Sequence, residues 1–403
     1  MTTNAELHAR RMSAVPRGIG NATQIYPKRA RNAELWDEEG KRYIDFGAGI
    51  AVVNTGHQHP RLVEAVKAQL DDFSHVCFQV TPHENYVSLA ERLNAIAPVA
   101  GSAKTMLAST GAEAVENAVK VARRFTGRPG IVSFAGGFHG RTHMGMALTG
   151  KAVPYKNGFG PFPADIYNVA FPNLYHGISA AESIKALEAL FKYQADPSTI
   201  AGIVIEPVQG EGGFNIAPAD FLAELRALCD THGIVLIADE IQTGIGRTGK
   251  FLAIEHWGIE PDMVLLAKAL SGGHVPIGAL LTRKNIFDKI FNQMDRAVVH
   301  GSTFAKNDLA MAAGIATLDV IKAEKLVENA AKRGAELRLA LTRMVPGYEL
   351  MKEVRGKGLM IGVEFGPPKS LRLKASWNLL ETANKGLFCQ LITVPLFKDH
   401  KIL

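Results

Sequence analysis

The sequence has 403 residues, 47% of them hydrophobic and 21% charged, which is typical of a large globular protein with more than one domain. The net charge of +6 comes from 45 basic and 39 acidic residues spread along the chain, without the basic runs of nucleic-acid-binding proteins. There is no apolar run of about 18 residues, no signal-peptide segment and no disulfide framework, so we expect a cytoplasmic protein without membrane association.

The N-terminal part predicts an arm followed by a hairpin. Residues 1–30 are expected to form the arm with one early helix, and the alternating segment Glu34–Phe46 is expected to form two strands joined at a glycine. A glycine-rich turn, Gly47–Ala51, comes next, and Pro60 suits the first turn of the following helix. We assign residues 1–58 to the arm and to part of a small domain.

From about residue 100 the sequence alternates between buried strands and helices. Short apolar runs predict strands at Thr105–Ala108, Ile131–Phe134, Ile203–Ile205, Ile234–Ala238, Met263–Ala267 and Ile277–Leu281. The intervening segments predict helices at Ala112–Phe125, Ala180–Tyr193 and Pro218–His232. This alternation is typical of an α/β fold with a mostly parallel sheet flanked by helices, which we assign to a large domain of residues 59–307.

The pattern changes after Asn307 and predicts a smaller α+β domain of residues 308–403. Its expected elements are helices at Asp308–Ala323 and Leu326–Arg343, a strand at Leu359–Phe365, a helix at Leu373–Lys385 that Gly386 stops, and a strand at Leu387–Val394. The N-terminal hairpin is a candidate partner for these strands.

Two buried runs in the middle of the chain each lead into an ionisable residue. Asp239 follows the first run and Lys268 follows the second, so both lie where parallel strands end and where such sheets bind ligands. A lysine in apolar surroundings has a lowered pKa and a nucleophilic amine, and an aspartate can keep a pyridine nitrogen protonated. A buried Lys–Asp ion pair is the alternative that these two residues alone leave open.

Three further segments place polar residues after predicted strands. Ser109–Ala114 is a small-residue turn that opens a helix and suits an anion, although an ordinary capped turn explains it equally well. Phe138–Arg141 combines a ring with an arginine that can clamp a carboxylate, while Glu206 and Glu211 lie in a glycine-rich segment. Each of these alone is consistent with a surface loop. The histidines and cysteines lack metal-ligand spacing, so no metal site is expected.

Together, the order of these segments and the spacing from Asp239 to Lys268 resemble the class III aminotransferases of fold type I, which use pyridoxal 5'-phosphate (PLP). Within this family, GIAVVNTGH, SHVCFQV, HGRTHMGMALTGK and EPVQGEGGF are similar to the subgroup acting on 4-aminobutyrate. The similarity is nearly continuous from about residue 5 to residue 275 and weaker afterwards. The resemblance implies a PLP ping-pong transamination of 4-aminobutyrate with 2-oxoglutarate, giving succinate semialdehyde and glutamate.

The resemblance also implies how the PLP ring is held. Lys268 would bind the cofactor covalently and move the proton at the substrate carbon, and Asp239 would pair with the pyridine nitrogen. Phe138 and Ile241 would lie on opposite faces of the ring, with His139 beside it.

Other residues would hold the phosphate and the 3'-oxygen of PLP. Gly111 and Ala112 would donate backbone N–H groups to the phosphate, and Gln242 would reach the 3'-oxygen. Thr303 would reach the phosphate of a neighbouring subunit. The resemblance therefore implies a homodimer, or a dimer of dimers, with shared active sites.

For the amino-acid and oxo-acid substrates, the resemblance gives Arg141 the carboxylate of 4-aminobutyrate and places Ile50 and Gln79 in the pocket wall. Glu206 and Glu211 would also face the substrate. Glu211 would pair with a C-terminal arginine and then release it to hold the α-carboxylate of glutamate.

The sequence ends at Leu403, before the strand expected to carry that arginine, so we expect a weakened glutamate half-reaction. Alternative amino donors are ornithine, acetylornithine, diaminobutyrate and β-alanine. PLP-dependent decarboxylation or an aminomutase reaction is a further alternative. An inactive PLP-binding relative is the alternative from outside the enzymes.

Overall fold

The structure, a computed structural model, describes residues 2–293, 295, 298–383 and 387–403. The strands are β1 Pro27–Arg31, β2 Glu34–Asp37, β3 Arg42–Ile44, β4 Ala103–Ala108, β5 Gly130–Phe134, β6 Ile166–Val169, β7 Ile200–Ile205, β8 Val235–Asp239, β9 Met263–Leu266, β10 Gly278–Arg283, β11 Met351–Lys357 and β12 Met360–Phe365. The helices are α1 Asn4–Ala14, α2 Ala48–Ala51, α3 Pro60–Asp72, α4 Glu84–Ile96, α5 Gly111–Thr126, α6 His143–Leu148, α7 Ala180–Tyr193, α8 Ala219–His232, α9 Lys284–Ile290, α10 Asp308–Ala323, α11 Leu326–Met344, α12 Leu371–Ala383 and α13 Leu387–Lys398.

A seven-stranded sheet with the order β4-β10-β9-β8-β7-β5-β6 forms the centre of the molecule. Its neighbouring strands run parallel except at β10, which is antiparallel to both β4 and β9. Ala108 at the end of β4 therefore lies opposite Gly278 at the start of β10, and the edge where the parallel strands end is continuous across the sheet. The expected α/β class with a mostly parallel sheet is confirmed.

Helices cover both faces of this sheet because its strands are apolar on both sides. Phe134 packs with Phe221 of α8 on one face. The residue before it, Ser133, is also buried. Ile131 packs with Val115 of α5 on the other face, as the alternation of side chains along a strand requires. On the face of Phe134, α7 begins with a capping box formed by Ser179 and Glu182.

The six strands predicted for the large domain correspond to β4, β5, β7, β8, β9 and β10, with bounds that differ by a few residues at most. The predicted N-terminal hairpin is β2 and β3, and the helices Ala180–Tyr193 and Asp308–Ala323 are confirmed at both ends. β1, β6, β11, α4 and α6 were not predicted. The segment Gly47–Ala51 differs from a simple turn, because it contains the short helix α2 with Ile50 at φ 63°.

The C-terminal part contains two corrections. The segment Leu387–Val394, predicted as a strand, forms α13, because an apolar run of this length fits either structure. Within the residues that the structure describes, β11 and β12 pair only with each other, so the N-terminal hairpin is not their partner and instead forms a sheet with β1. Ile402 forms a parallel bridge with Ile44 at the edge of that sheet.

The predicted helix Leu373–Lys385 corresponds to α12, and its stop at Gly386 lies outside the described residues. The domain boundaries after residues 58 and 307 stay predictions. Among the described residues, no helix combines the length and apolar character that crossing a membrane requires.

Candidate active site

The loops that follow β4, β5, β7, β8 and β9 surround a cavity of about 400 Å³ at the carboxyl edge of the sheet. Side chains predicted as site residues line it, namely Phe138, His139, Glu206, Asp239, Gln242 and Lys268. Ligands bind at this edge in open α/β sheets. The sheet therefore brings together residues that are far apart in the sequence.

Lys268 is the first residue of a short 3₁₀ turn that follows β9. Its φ of 44° is in the left-handed region, a strained conformation for a residue other than glycine that is most often found at functional sites. Burial lowers the pKa of the Lys268 amine, although the negative charges of Asp239 and Glu206 oppose part of the shift. A larger share of the amine is therefore unprotonated and nucleophilic.

Asp239, the last residue of β8, is only 3% exposed. Its Oδ2 lies 2.8 Å from His139 Nδ1, and its Oδ1 accepts a hydrogen bond from Ile241 N–H at 3.1 Å. Burial disfavours the charged imidazole, but the hydrogen bond and charge of Asp239 outweigh it and raise the pKa of His139. His139 and the backbone N–H of Ile241 thus fix the orientation of the Asp239 carboxylate.

Glu206 follows β7 and is 6% exposed. Its Oε2 accepts a hydrogen bond from Phe138 N–H at 2.8 Å, and its Oε1 accepts one from Gly210 N–H at 3.0 Å. Burial raises the pKa of this carboxyl to about 7, against the opposing charge of His139. The sequence had placed Glu206 against the substrate, whereas both its oxygens are occupied by backbone groups.

The N-terminus of α5, with the turn Ser109–Ala112, lies at the cavity and is here named the anion end. Thr110 caps the helix by accepting a hydrogen bond from Glu113 N–H at 3.1 Å. The N–H groups of Gly111 and Ala112 make no hydrogen bond to any residue that the structure describes. A Cβ at Gly111 would lie 3.0 Å from Ile241 Cδ1, so a side chain here would have to displace the Ile241 side chain. Free N–H groups and the helix dipole suit a phosphate.

The walls between the anion end and Asp239 are apolar and suit a planar ring. Ile241 and Phe138 both line the cavity, and the Tyr155 ring packs on Phe138 at 5.3 Å between centroids. Gln242 also lines the cavity, next to Gly210. The Arg141 guanidinium lies 5.8 Å from the centre of the Phe138 ring.

Four predicted site residues do not line this cavity: Ile50, Gln79, Arg141 and Thr303. All four are exposed in the single chain. Glu211 lines the cavity but is also exposed. Their predicted roles in substrate or cofactor binding therefore stay predictions.

The structure adds Glu113 and Ser302 at the anion end, which the sequence reasoning missed. Glu113 Oε2 accepts a hydrogen bond from Ser109 N–H at 2.7 Å, and its Oε1 accepts one from the Ser302 hydroxyl at 3.1 Å. The spacing of Thr110 and Glu113 is that of a capping box, which indicates the start of a helix. It does not indicate the contact of Glu113 with Ser302.

Comparison with known proteins identifies the class of this site. The aminotransferase class-III family profile matches residues 15–395. Over 362 residues, 90% of this chain and 84% of the relative, the chain is 47% identical to 5-aminovalerate aminotransferase DavT of Pseudomonas putida. It is 45% identical over 364 residues to 4-aminobutyrate aminotransferase GabT of Escherichia coli, with coverage of 90% and 84%.

Solved structures agree with this assignment. An (S)-enantioselective omega-transaminase from Thermomicrobium roseum matches with a TM-score of 0.85 at 33% identity, over 93% of this chain and 86% of that chain. A PLP-bound amine transaminase from an uncultivated Pseudomonas species matches with a TM-score of 0.81 at 34% identity, over 90% and 86%. The fold is that of the PLP-dependent transaminases. The chain belongs to the class-III aminotransferases.

The residues present fit PLP. The cofactor needs an anion site, a flat apolar slot, a carboxylate for its pyridine nitrogen and a lysine amine. The free N–H groups of Gly111 and Ala112, the buried carboxylate of Asp239 and the desolvated amine of Lys268 provide these within one cavity. The enzyme is therefore a PLP-dependent aminotransferase acting on amino and oxo acids.

Proposed function

We propose that the enzyme transfers the amino group of 4-aminobutyrate to 2-oxoglutarate, with succinate semialdehyde and glutamate as products. The observation that carries the proposal is the shared cavity of Lys268, Asp239 and the free helix N-terminus at Gly111. The names of relatives at 45% and 47% identity support a linear ω-amino acid as the amino donor.

When bound, PLP supplies an electron sink for the bond broken at the substrate carbon that bears the amine. Lys268 moves the proton at that carbon, since its amine lines the cavity and burial lowers its pKa. Asp239 would hold the proton on the pyridine nitrogen, and the N–H groups of Gly111 and Ala112 would bind the phosphate. The position of these groups along the wall of one cavity supports these roles.

Three further side chains that line the cavity would hold the ring. Phe138 and Ile241 would exclude water from the ring faces, and Gln242 would donate to the 3'-oxygen. His139 restrains Asp239 through the contact of 2.8 Å and is itself held by a hydrogen bond from its N–H to Thr149 Oγ1 at 3.1 Å. The loops after β5 and β8 thereby orient the ring for reaction.

For the substrate, Arg141 binds the carboxylate far from the amine, while Ile50 and Gln79 complete the pocket wall. Arg141 lies on the same loop as Phe138 and His139, and its guanidinium lies 5.8 Å from the centre of the Phe138 ring, which lines the cavity. Glu211, which lines the cavity, adjusts the charge there between the two half-reactions.

A panel of amino donors with 2-oxoglutarate, following glutamate formation, tests this proposal. The donors are 4-aminobutyrate, 5-aminovalerate, β-alanine, ornithine, acetylornithine and diaminobutyrate. One methylene changes specificity by about 10–200-fold in an apolar pocket, so the preferred donor should stand out. We expect the highest kcat/KM with 4-aminobutyrate. A higher value with 5-aminovalerate would assign the donor named for the Pseudomonas relative, and no turnover of any donor would indicate an inactive protein.

We also propose that two chains associate as a homodimer through a surface made by residues 75–80 and 298–304, here named the loop surface. The two segments are in contact, because the rings of His75 and Phe304 lie 4.8 Å apart between centroids. Val80 and Val298 are 79% and 81% exposed, and Phe304 is 65% exposed. A cluster of exposed apolar side chains of this kind is typical of an interface.

Phe304→Glu should shift the protein from dimer to monomer, because it places a charge in an apolar contact that must lose water. The measurement is light scattering after size-exclusion chromatography. Tyr193→Glu is the matched control, since Tyr193 is also aromatic and 74% exposed but lies on α7 at the outer face of the sheet. A wild-type monomer, or dimers of both variants, would contradict the loop surface as the interface.

A further inference from the structure

Glu206 is a buried carboxylate that connects two loops rather than facing a ligand. We propose that Glu206 is a positioning residue, which holds the loop carrying Arg141 and the loop carrying Glu211 in fixed relation to each other. The effect on substrates rests on the proposed function, because that function gives Arg141 and Glu211 their roles. The connection itself rests only on contacts within the chain.

The two loops come from strands that are neighbours in the sheet. The first follows β5 and carries Phe138 to Arg141, and the second follows β7 and runs from Glu206 to Gly213; β5 and β7 pair in parallel. Glu206 Oε2 binds the N–H of Phe138 at 2.8 Å, and Oε1 binds the N–H of Gly210 at 3.0 Å. One carboxylate therefore connects both sides of the cavity.

A carboxylate is suited to this role because it has two acceptor oxygens and, when ionised, no donor. Glutamine has one acceptor oxygen and an NH₂ group, so it can receive only one of the two N–H groups. The other N–H would face a donor, and a buried backbone group without a partner is destabilising. Replacing Glu206 by glutamine should therefore release one loop while keeping the size of the side chain.

The position of Glu206 explains why a loosened loop would affect the substrate. Phe138 is three residues before Arg141, and Gly210 immediately precedes Glu211. These are the residues proposed to handle substrate carboxylates. A displaced side chain makes a weaker contact with a substrate carboxylate, so a rigid link between the loops matters for binding.

The test compares Glu206→Gln with a matched control, Glu240→Gln, in the PLP-loaded enzyme. Glu240 is also a buried glutamate with two backbone donors, accepting from Ala253 N–H at 2.9 Å and Ile254 N–H at 2.7 Å, and it accepts a further hydrogen bond from the Thr243 hydroxyl. The two backbone donors belong to the turn Ala253–His256 and not to the cavity loops. The control thus removes the same kind of contact with backbone N–H groups in a different place.

The first measurement is amide hydrogen exchange. In Glu206→Gln we expect at least about tenfold faster exchange in residues 136–141 or 207–213, since the loss of a hydrogen bond to a charged acceptor changes the opening equilibrium by about that factor. In Glu240→Gln the faster exchange should appear at 253–256 instead. Unchanged exchange in both cavity loops of Glu206→Gln would overturn the link, whatever happens to activity.

The second measurement is steady-state kinetics with the preferred donor and 2-oxoglutarate. We expect KM for both substrates to rise about tenfold in Glu206→Gln with a smaller change in kcat, because binding groups are displaced while Lys268 is not. Glu206→Asp, one methylene too short to reach both N–H groups, should show the same split. Faster loop exchange with unchanged KM would overturn the positioning role.

The two arms separate this inference from the proposed function. If the wild-type enzyme uses none of the tested donors, the proposed function fails, and exchange still decides whether Glu206 links the loops. If the donor KM alone rises, Glu206 contacts the amino donor directly, which overturns the positioning role and supports the expectation from the sequence.

Discussion

Replacing Lys268 by alanine should abolish turnover while leaving the fold intact. The variant loses the covalent link to PLP and the group that moves the proton at the substrate carbon. Loss of general acid–base catalysis alone costs about 10²–10⁴-fold in rate. The phosphate and ring contacts remain, so some PLP should stay bound. The measurements are transaminase activity and the absorbance of bound PLP before and after treatment with borohydride. In the wild type, borohydride should fix PLP to the protein, whereas in the variant it should not.

Lys104→Ala is the control for Lys268→Ala. Lys104 is on β4 of the same sheet but is half-exposed and forms an ion pair with Asp288 at 2.6 Å. Exposed ion pairs contribute about 0–1 kcal/mol, so this variant should keep wild-type activity. Transamination by Lys268→Ala near the wild-type rate would refute the assignment of the catalytic residue.

Asp239→Asn should lower kcat with a smaller change in PLP content. Asparagine keeps an acceptor for Ile241 N–H but cannot hold a positive charge on the pyridine nitrogen. Hydrogen bonds to charged groups are worth about 1.5–3 kcal/mol, which corresponds to a fall of about 10–150-fold. The contact with His139 also loses its charge, so the pKa of His139 should fall towards its ordinary value. Single-turnover kinetics and histidine NMR measure these effects.

Asp262→Asn is the matched control for Asp239→Asn. Asp262 is also a buried aspartate, but it lies just before β9 at the opposite end of the strand from Lys268. It accepts hydrogen bonds from Arg226 at 3.0 Å and from Leu236 N–H at 2.8 Å. Its loss should reduce stability and leave the kcat of the folded enzyme unchanged. Equal losses of kcat in both variants would mean that Asp239 is only a structural ion-pair partner.

The central sheet was predictable because its strands are buried on both faces. Short continuous apolar runs such as Ile234–Ala238 and Met263–Ala267, separated by helical segments, are typical of the buried strands of a parallel sheet. β6 was missed because it is an edge strand, half-exposed, and its sequence Ile-Tyr-Asn-Val lacks such a run. The same signal misled at Leu387–Val394, where apolar and β-branched residues form α13.

The charged centre of the site was also predictable, since Asp239 and Lys268 directly follow their strands. The bonds around it were not. Glu206 meets Phe138 across 68 residues of sequence, and Glu113 meets Ser302 across 189. No local spacing rule relates such pairs, because their distance depends on strand order. The sequence therefore named Glu206 but assigned it to the substrate rather than to two backbone N–H groups.

The pairing of β4 with β10 has a consequence for the amount of enzyme in a cell. The turn at Gly111 and the amine of Lys268 meet only when β10, late in the chain, has joined the sheet beside β4. The PLP site therefore needs a sheet that includes β10, and binding of PLP to that folded sheet adds to the free energy of unfolding. At a free concentration a hundred times Kd this addition is about 2.7 kcal/mol. Differences of this size change protein abundance several-fold through proteolysis of the unfolded chain. A shortage of the vitamin that supplies PLP should thus remove the protein itself as well as its activity.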